Sequence, residues 1–148
     1  MGSYIWLNSC GNGTTLFTVR VWFYLRMPVV VNGATCKCSF GTTPSALSVI
    51  PKSRVFVSSS SIASISDFVP MVNIKPFGQC LTITNPAVAA ATAAKLGVFT
   101  PAPCVPVVVT PWIPSKPTVI GVLHSEDMCM CNWGGIIKII FPGQFTVL

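Results

Sequence analysis

Cysteines placed at predicted turns constrain this chain more than any other feature of its sequence. Between Val69 and Trp133, three of them occur in the motifs PFGQC, PAPC and CNWGG, each beside glycine or proline. Glycine and proline favour turns, so these thiols lie where the chain changes direction rather than inside apolar runs. The pattern predicts a body whose distant segments are joined at one point through cysteine side chains.

The composition predicts one domain with an unusually uncharged surface. The chain has 148 residues, of which 51% are hydrophobic and only 8% are charged, against roughly 25% charged in a typical soluble domain. We therefore expect a partner, or Ser, Thr, Pro and Gly, to cover much of the surface. The net charge is +6, but the nine basic residues are spread singly along the chain. Nucleic-acid binders usually cluster such residues on one face, so we expect no nucleic-acid partner.

The uncharged run from Leu96 to Ser115 is long enough to cross a bilayer, but its five prolines are incompatible with a helix in lipid. We therefore expect no stable membrane insertion. Residues 1–26 carry no basic segment ahead of their apolar part and do not predict a signal peptide. They form an N-terminal extension, either a misassigned start or a docking segment, before a folded domain over residues 27–148. Synthesis in the cytoplasm follows from this interpretation.

Local patterns predict a mainly β fold with one short helix. Val29 to Val31, followed by Asn32-Gly33, predicts a hairpin whose second strand carries Cys36 and Cys38 on the same face. The helix spans about Asn85 to Leu96, with Asn85 as N-cap, Pro86 as first helical residue and Gly97 as the C′ residue that ends it. Residues 134–141 predict a strand and residues 144–148 a final one. The segment HSEDMCMCNW predicts an exposed loop.

The seven cysteines allow a metal site. Without an export signal the chain is made in a reducing compartment, where cysteines favour metal binding over disulfides. A structural zinc site takes four ligands that approach from different directions. The four thiols that border a turn or a Pro/Gly feature are Cys38, Cys80, Cys104 and Cys131. Cys36 and Cys129 each precede a candidate by two residues and are alternate ligands, and Cys10 is unassigned. Spacing alone leaves open a set of buried free thiols.

Other reactive side chains are few. His124 is the single histidine, and it is either a ligand or a solvated loop residue. The carboxylates are Asp67, Glu126 and Asp127, and two of them are adjacent. General acid–base catalysis needs such groups across a cleft, so we expect no enzymatic activity.

Several long motifs, in the same order along the chain, carry a family resemblance. They are MPVVVNGATCKCSFG, PMVNIKPFGQC, NPAVAAATAAKLGVFTPAPC, PW, PTV and CMCNWGGIIKIIFPGQ. In these motifs residues 27–147 closely resemble the PAAR-like tip proteins of contractile injection systems. Those systems are the bacterial type VI secretion apparatus and related extracellular phage-tail-like devices.

The resemblance implies a compact conical β-fold that caps and sharpens the blunt end of a trimeric VgrG-type spike. It also implies that one metal ion, here zinc, is bound at the positions matching Cys38, Cys80, Cys104 and Cys131. Sheath contraction would drive the tip through a target membrane, with effectors or a chaperone as further partners. The chain departs from classical PAAR-repeat proteins, which bind zinc largely through histidines, because it has only His124.

Two other functions remain open. The chain could be a small delivered toxin whose cysteines form disulfides, or a metal-binding adaptor that loads effectors and never forms a tip. Zinc content distinguishes the toxin from the other two, and binding to a spike trimer distinguishes the tip from the adaptor.

Overall fold

A computed structural model describes residues 28–51, 56–57, 59–115 and 121–145. The N-terminal extension over residues 1–26, including Cys10, lies outside the described residues, as do residues 146–148 of the predicted final strand. Residues 144–145, which belong to that predicted strand, are not in a strand. The Gln144 side chain instead donates a hydrogen bond to the Val29 carbonyl at 2.9 Å.

The expectation of a mainly β fold with one short helix is confirmed for the described residues. Eight strands and a helix follow one another as β1 Thr35–Cys38, β2 Ser45–Ala46, β3 Phe56–Val57, β4 Ser60–Ser61, β5 Gln79–Cys80, α1 Pro86–Ala94, β6 Ala102–Pro103, β7 Met128–Met130 and β8 Ile136–Phe141. The largest sheet is antiparallel, in the order β2-β1-β8-β7, and β3-β4 and β5-β6 form two-stranded sheets. Most other pairing consists of isolated bridges between loops, so the fold depends on its core more than on long strands.

Strand β8 forms because its sequence IIKIIF alternates between the two sheet faces and is rich in β-branched residues. Ile137 and Ile139 are buried, whereas Ile136, Lys138 and Ile140 point outwards. In register, Cys36 pairs with Ile139 and Cys38 with Ile137 on one side of β8, and Cys129 pairs with Ile137 on the other. Strand β8 therefore places cysteines from both of its neighbours over the same buried layer.

The predicted helix is present, and its N-terminal cap is as expected. The Asn85 side chain accepts a hydrogen bond from the Ala87 N–H at 2.9 Å. The helix ends at Ala94, two residues before the predicted Leu96, because Leu96, with φ of 53°, is the C′ residue in place of Gly97. Leu96 and Gly97 donate to the carbonyls of Ala93 and Thr92 at 3.1 and 3.0 Å, the two bonds of a Schellman motif.

The predicted hairpin at Asn32-Gly33 is wrong. The chain does turn there, and the Ala34 N–H donates to the Val31 carbonyl at 3.1 Å. The two arms then part, since Val31 bridges to Ile62 whereas β1 pairs with β2 and β8. Pairing with β8 supplies the apolar partners that the buried cysteine face of β1 needs, which the short first arm does not supply. Cys36 and Cys38 do lie on the same buried face, as predicted.

The segment HSEDMCMCNW is not an exposed loop. Residues Met128–Met130 form β7, and Asp127 is 1% exposed. The Asp127 carboxylate accepts hydrogen bonds from the N–H groups of His124 at 2.8 Å and Ser115 at 3.0 Å. The charge of Asp127 can be buried because those donors satisfy it. The acidic residues of this segment therefore did not indicate an exposed loop.

One hydrophobic cluster forms the core of the described residues. It includes six cysteines, together with Phe77, Leu47 and Trp112. Trp112 is 1% exposed, and its indole N–H donates to the Asp67 carbonyl at 2.9 Å. Trp133 packs against the same cluster, so both tryptophans contribute to packing. Among the described residues, no helix is both long enough and apolar enough to cross a membrane.

Candidate metal centre

Four cysteines reach one buried region from four separate segments. Cys38 ends β1 and Cys80 ends β5, whereas Cys104 follows β6 and Cys131 follows β7 directly. All four are buried, with exposed fractions between 2% and 6%. They are the four thiols that the sequence predicts as metal ligands, and the fold brings all of them into its single core cluster.

Backbone hydrogen bonds join three of the thiol-bearing segments. The Gly41 N–H donates to the Cys38 carbonyl at 3.1 Å. Gly41 also forms a β-bridge with Cys80. The Cys104 N–H donates to the Gly78 carbonyl at 2.7 Å, which completes the pairing of β5 with β6. These contacts hold the loops after β1, before β5 and after β6 side by side.

The fourth segment depends on a pair of glycines. The Cys131 N–H donates to the Gly135 carbonyl at 2.8 Å, and the Gly134 N–H donates to the Cys131 carbonyl at 2.9 Å. Gly134 has φ of 80°, a left-handed conformation that favours glycine. Gly135 has a different role, since a Cβ there would lie 2.7 Å from the Cys38 Sγ. Its missing side chain lets the turn after Cys131 close directly on the Cys38 thiol.

The four thiols interact electrostatically. Burial, together with the neighbouring charges of Cys80, Cys38 and Cys131, raises the pKa of Cys104 to about 12. A hydrogen bond with Cys80 acts in the same direction. Burial also raises the pKa of Cys38, and the neighbouring charges of Cys131 and Cys80 act in the same direction. Ionising all four thiols in this buried volume would therefore require a cation to offset their charge.

The donor set fits a structural zinc ion. Across the described ranges, no three or more Cys, His, Asp or Glu side chains form a preassembled metal-binding group. The residues that would hold the ion supply four sulfurs and no carboxylate, the ligand set of closed, tetrahedral zinc sites. Coordination would replace the thiol protons by the ion and remove the repulsion that helps to raise the pKa of Cys38 and Cys104. Zinc bound in this way supplies a cross-link with no open coordination position.

Cys36 and Cys129 differ from the other four. Each thiol donates to a backbone carbonyl, Cys36 to Ser45 at 3.3 Å and Cys129 to Thr110 at 3.6 Å. Burial raises the pKa of Cys36 to about 12 and that of Cys129 to about 11. Cys36 and Cys129 do not contribute to the raised pKa of Cys38 or Cys104, although Cys131 contributes to that of Cys129. The hydrogen bonds to carbonyls distinguish Cys36 and Cys129 from the four candidates, and the choice of ligands stays a prediction.

His124 and the carboxylates lie in a different arrangement. The His124 Nδ1 is 3.9 Å from the Asp127 Oδ2, and its side chain is 20% exposed. His124 forms a bridge with Val29, so it belongs to the sheet periphery rather than to a freely solvated loop. The Asp67 carboxylate accepts a hydrogen bond from the Ser64 N–H at 2.8 Å. Both buried aspartates thus bind the backbone of their own loops, and the absence of enzymatic activity stays a prediction.

Sequence reasoning missed the importance of Gly41. A Cβ at this position would collide with the Phe77 side chain and lie 2.9 Å from the Phe77 carbonyl oxygen. The close approach lets the loop after Cys38 lie against the segment that leads into Cys80. No local sequence signal marks this glycine, because the contact joins Gly41 to a segment that is distant in sequence.

A match to a protein-family model covers the whole candidate metal centre. No curated protein and no solved structure matches the chain significantly. A family model described as "Domain of unknown function (DUF4280)" matches residues 30–144. That span contains all six described cysteines and the glycines that pack around them. The chain therefore belongs to the DUF4280 family.

Proposed function

We propose that this chain is a structural tip that caps a trimeric VgrG-type spike of a contractile injection system. The proposal rests on the ordered motifs that resemble PAAR-like tip proteins, and the same motifs contribute the four clustered thiols. It implies a protein that is made in the bacterial cytoplasm and carried outwards at the end of the spike. The conical shape and the membrane-puncturing role belong to this proposal.

The observation that carries the proposal is that the fold gathers four thiols from four distant segments into one buried core cluster. The strands around it are short, between two and six residues. Such strands alone resist deformation poorly. A structural zinc ion contributes roughly 10–16 kcal/mol of binding free energy, which adds directly to folding stability. Bound at these thiols, it would make the ends of β1, β5, β6 and β7 one rigid unit.

The exposed apolar side chains fit a protein that is partly covered in use. Ile83, Val98 and Val109 are each more than 60% exposed, and Leu96 is 97% exposed. Monomeric soluble proteins seldom expose many large apolar side chains together, because each one loses burial free energy. A spike end that covers part of this surface would account for the low fraction of charged residues.

Co-expression with a trimeric VgrG-type spike tests the proposal. We expect a complex of one chain per three spike subunits by native mass spectrometry, since a single tip closes a threefold end. The matched control is the same spike truncated to remove its blunt threefold end, which should not bind. A chain that fails to bind the intact spike, or that binds at one copy per spike subunit, contradicts the proposal.

The two alternative functions predict different results. A disulfide-linked toxin would contain few free thiols, yet the six described cysteines are free. Thiol titration of the unfolded chain without reductant would count them directly. An effector-loading adaptor would bind zinc and an effector but would not bind the spike end. The thiol count distinguishes the toxin from the tip and the adaptor, and the spike experiment distinguishes those two.

A further inference from the structure

The outer face of the largest sheet combines lysines with exposed apolar side chains. Alternation along β1 and β8 turns Cys36, Cys38, Ile137 and Ile139 inwards and the residues between them outwards. The outward side chains, which we call the lysine face, are Lys37, Met130, Ile136, Lys138 and Ile140. None of these five side chains belongs to the thiol cluster, although Cys38 also lines the concavity that they border.

Two positive charges lie directly opposite each other on this face. Lys37 and Lys138 are cross-strand partners in the β1–β8 register. Like charges at directly opposed positions destabilise a sheet. Both lysines line an open concavity of about 410 Å³, with Ile136 and Ile140 among its other lining residues. The concavity therefore has a cationic centre and apolar sides.

The chain has almost no carboxylate to neutralise this pair. Its only acidic residues are Asp67, Glu126 and Asp127. Asp67 and Asp127 are 2% and 1% exposed and accept hydrogen bonds from nearby N–H groups. Among the described residues, neither Lys37 nor Lys138 forms an ion pair. Glu126 is exposed but forms no ion pair with either lysine among the described residues. The pair is therefore available to a negative charge from another molecule.

The surroundings indicate the chemistry of that molecule. A second copy of this chain would bring a further charge of +6, which makes it a poor occupant. A nucleic acid would satisfy the lysines but would leave Ile136, Ile140 and Met130 against polar groups. Anionic lipid surfaces are bound by clusters of roughly 4–8 basic residues, more than the two lysines of this face. Exposed fractions of 38% for Ile136, 57% for Ile140 and 49% for Met130 leave apolar area available for burial. A protein segment that carries carboxylates between aliphatic or aromatic residues matches both features.

We propose that the lysine face binds an acidic, apolar segment of one partner protein in a one-to-one complex. Carboxylates of the segment pair with Lys37 and Lys138, and its apolar side chains pack on Ile136 and Ile140. Each chain presents one such face, so we expect one copy of the partner segment per chain. The inference goes beyond spike capping and holds whether or not the chain caps a spike.

The test uses random linear peptides displayed on phage as the probe. The full-length chain is the bait, and the Lys37→Gln/Lys138→Gln variant is used for counter-selection. Enriched peptides should carry carboxylates flanked by apolar residues. Their Kd, measured by fluorescence anisotropy, should rise about tenfold or more in the double variant. The matched control is Lys75→Gln/Lys95→Gln, which removes the same charge from exposed positions elsewhere and should leave the Kd unchanged.

Two further measurements complete the experiment. Ile136→Ser should also weaken the enriched peptide, because it removes apolar contact without altering charge. The thermal midpoint of the Lys37→Gln/Lys138→Gln variant should equal or exceed that of the wild type, because a like-charge pair has been removed. These results would show loss of binding in a folded chain.

Three results would overturn the inference. The first is the absence of enrichment over the double variant, and the second is enrichment of peptides that lack carboxylates. The third is displacement of the peptide by duplex DNA or by phosphatidylglycerol vesicles. For this result to count, binding of the DNA or vesicles must require both lysines and must be unaffected by Ile136→Ser. That last result would identify the face as a polyanion-binding surface.

Discussion

Replacing Gly135 with alanine tests the packing around the Cys38 thiol. The added Cβ would lie 2.7 Å from the Cys38 Sγ and 3.3 Å from the Phe40 Cδ2. The φ of Gly135 is outside the left-handed region, so alanine causes no backbone strain there. The effect of the substitution is therefore steric and falls on a candidate metal ligand.

The size of the effect follows from two opposing contributions. Overpacking a well-packed core costs about 1–3 kcal/mol. Alanine also restricts the unfolded chain, which offsets about 0.4–1 kcal/mol of that cost. We expect the metal-free variant to lose roughly 1–2 kcal/mol of unfolding free energy. Because the collision displaces the Cys38 Sγ, zinc affinity should fall about tenfold or more.

The neighbouring glycine provides a matched control. Gly134→Ala forces alanine into φ of 80° but meets no atom within 4 Å. It should cost about 1–2 kcal/mol through backbone strain and leave the sulfur in place. The two adjacent variants should therefore lose similar stability, whereas only Gly135→Ala should lose zinc affinity.

Two assays measure these quantities. Urea denaturation of the chelator-stripped, reduced chain gives the unfolding free energy, and competition with a chromophoric chelator gives the zinc affinity. In a Cys38→Ala background the clash is relieved, so Gly135→Ala should cost about 1 kcal/mol less than in the wild type. Equal zinc affinity in Gly134→Ala and Gly135→Ala would refute the packing argument. So would unfolding free-energy losses in the Cys38→Ala/Gly135→Ala variant that equal the sum of those in the two single variants.

Three other predictions concern stability, each measured by urea denaturation. Asn85→Ala removes the cap bond to the Ala87 N–H and should cost about 1 kcal/mol, whereas Asn85→Asp should cost little. Leu96→Gly should leave the unfolding free energy unchanged or raise it by up to about 1 kcal/mol. The reason is that Leu96 is 97% exposed and has a φ of 53°, which glycine adopts without strain. Leu96→Ala keeps the strain and should not stabilise the chain. Burial raises the pKa of Cys36 to about 12 and of Cys129 to about 11 from 9.0. The folded chain therefore keeps protons that the unfolded chain releases, and the metal-free protein should lose stability as the pH rises above 9.0. An unchanged urea midpoint at alkaline pH would contradict this assignment.

Local sequence signals predicted the features that depend on local contacts. The helix cap at Asn85 involves a hydrogen bond across two residues, and the strand β8 alternates within six residues. The shared face of Cys36 and Cys38 follows from the two-residue period of any strand. In each case the residues that determine the conformation are close neighbours in sequence.

The predictions that were wrong depend on contacts between residues that are distant in sequence. The Asn32-Gly33 pair predicts a hairpin, but β1 pairs with β8, which follows it by about a hundred residues. Asp127 looked exposed because acidic residues usually are, whereas backbone donors of its own loop and of Ser115 satisfy its charge. The closeness of the four thiols depends on the same long-range pairing, so spacing alone could not distinguish a metal site from scattered buried thiols.

The zinc content of the purified, reduced chain tests most directly the claim that four thiols hold one structural ion. Metal analysis should give one zinc per chain for the wild type and for the Cys36→Ser/Cys129→Ser control. Single serine substitutions should abolish stoichiometric zinc and lower stability at each of Cys38, Cys80, Cys104 and Cys131. A zinc-free wild type that is as stable as the zinc-loaded chain, or loss of zinc in the Cys36→Ser/Cys129→Ser control, would contradict the account.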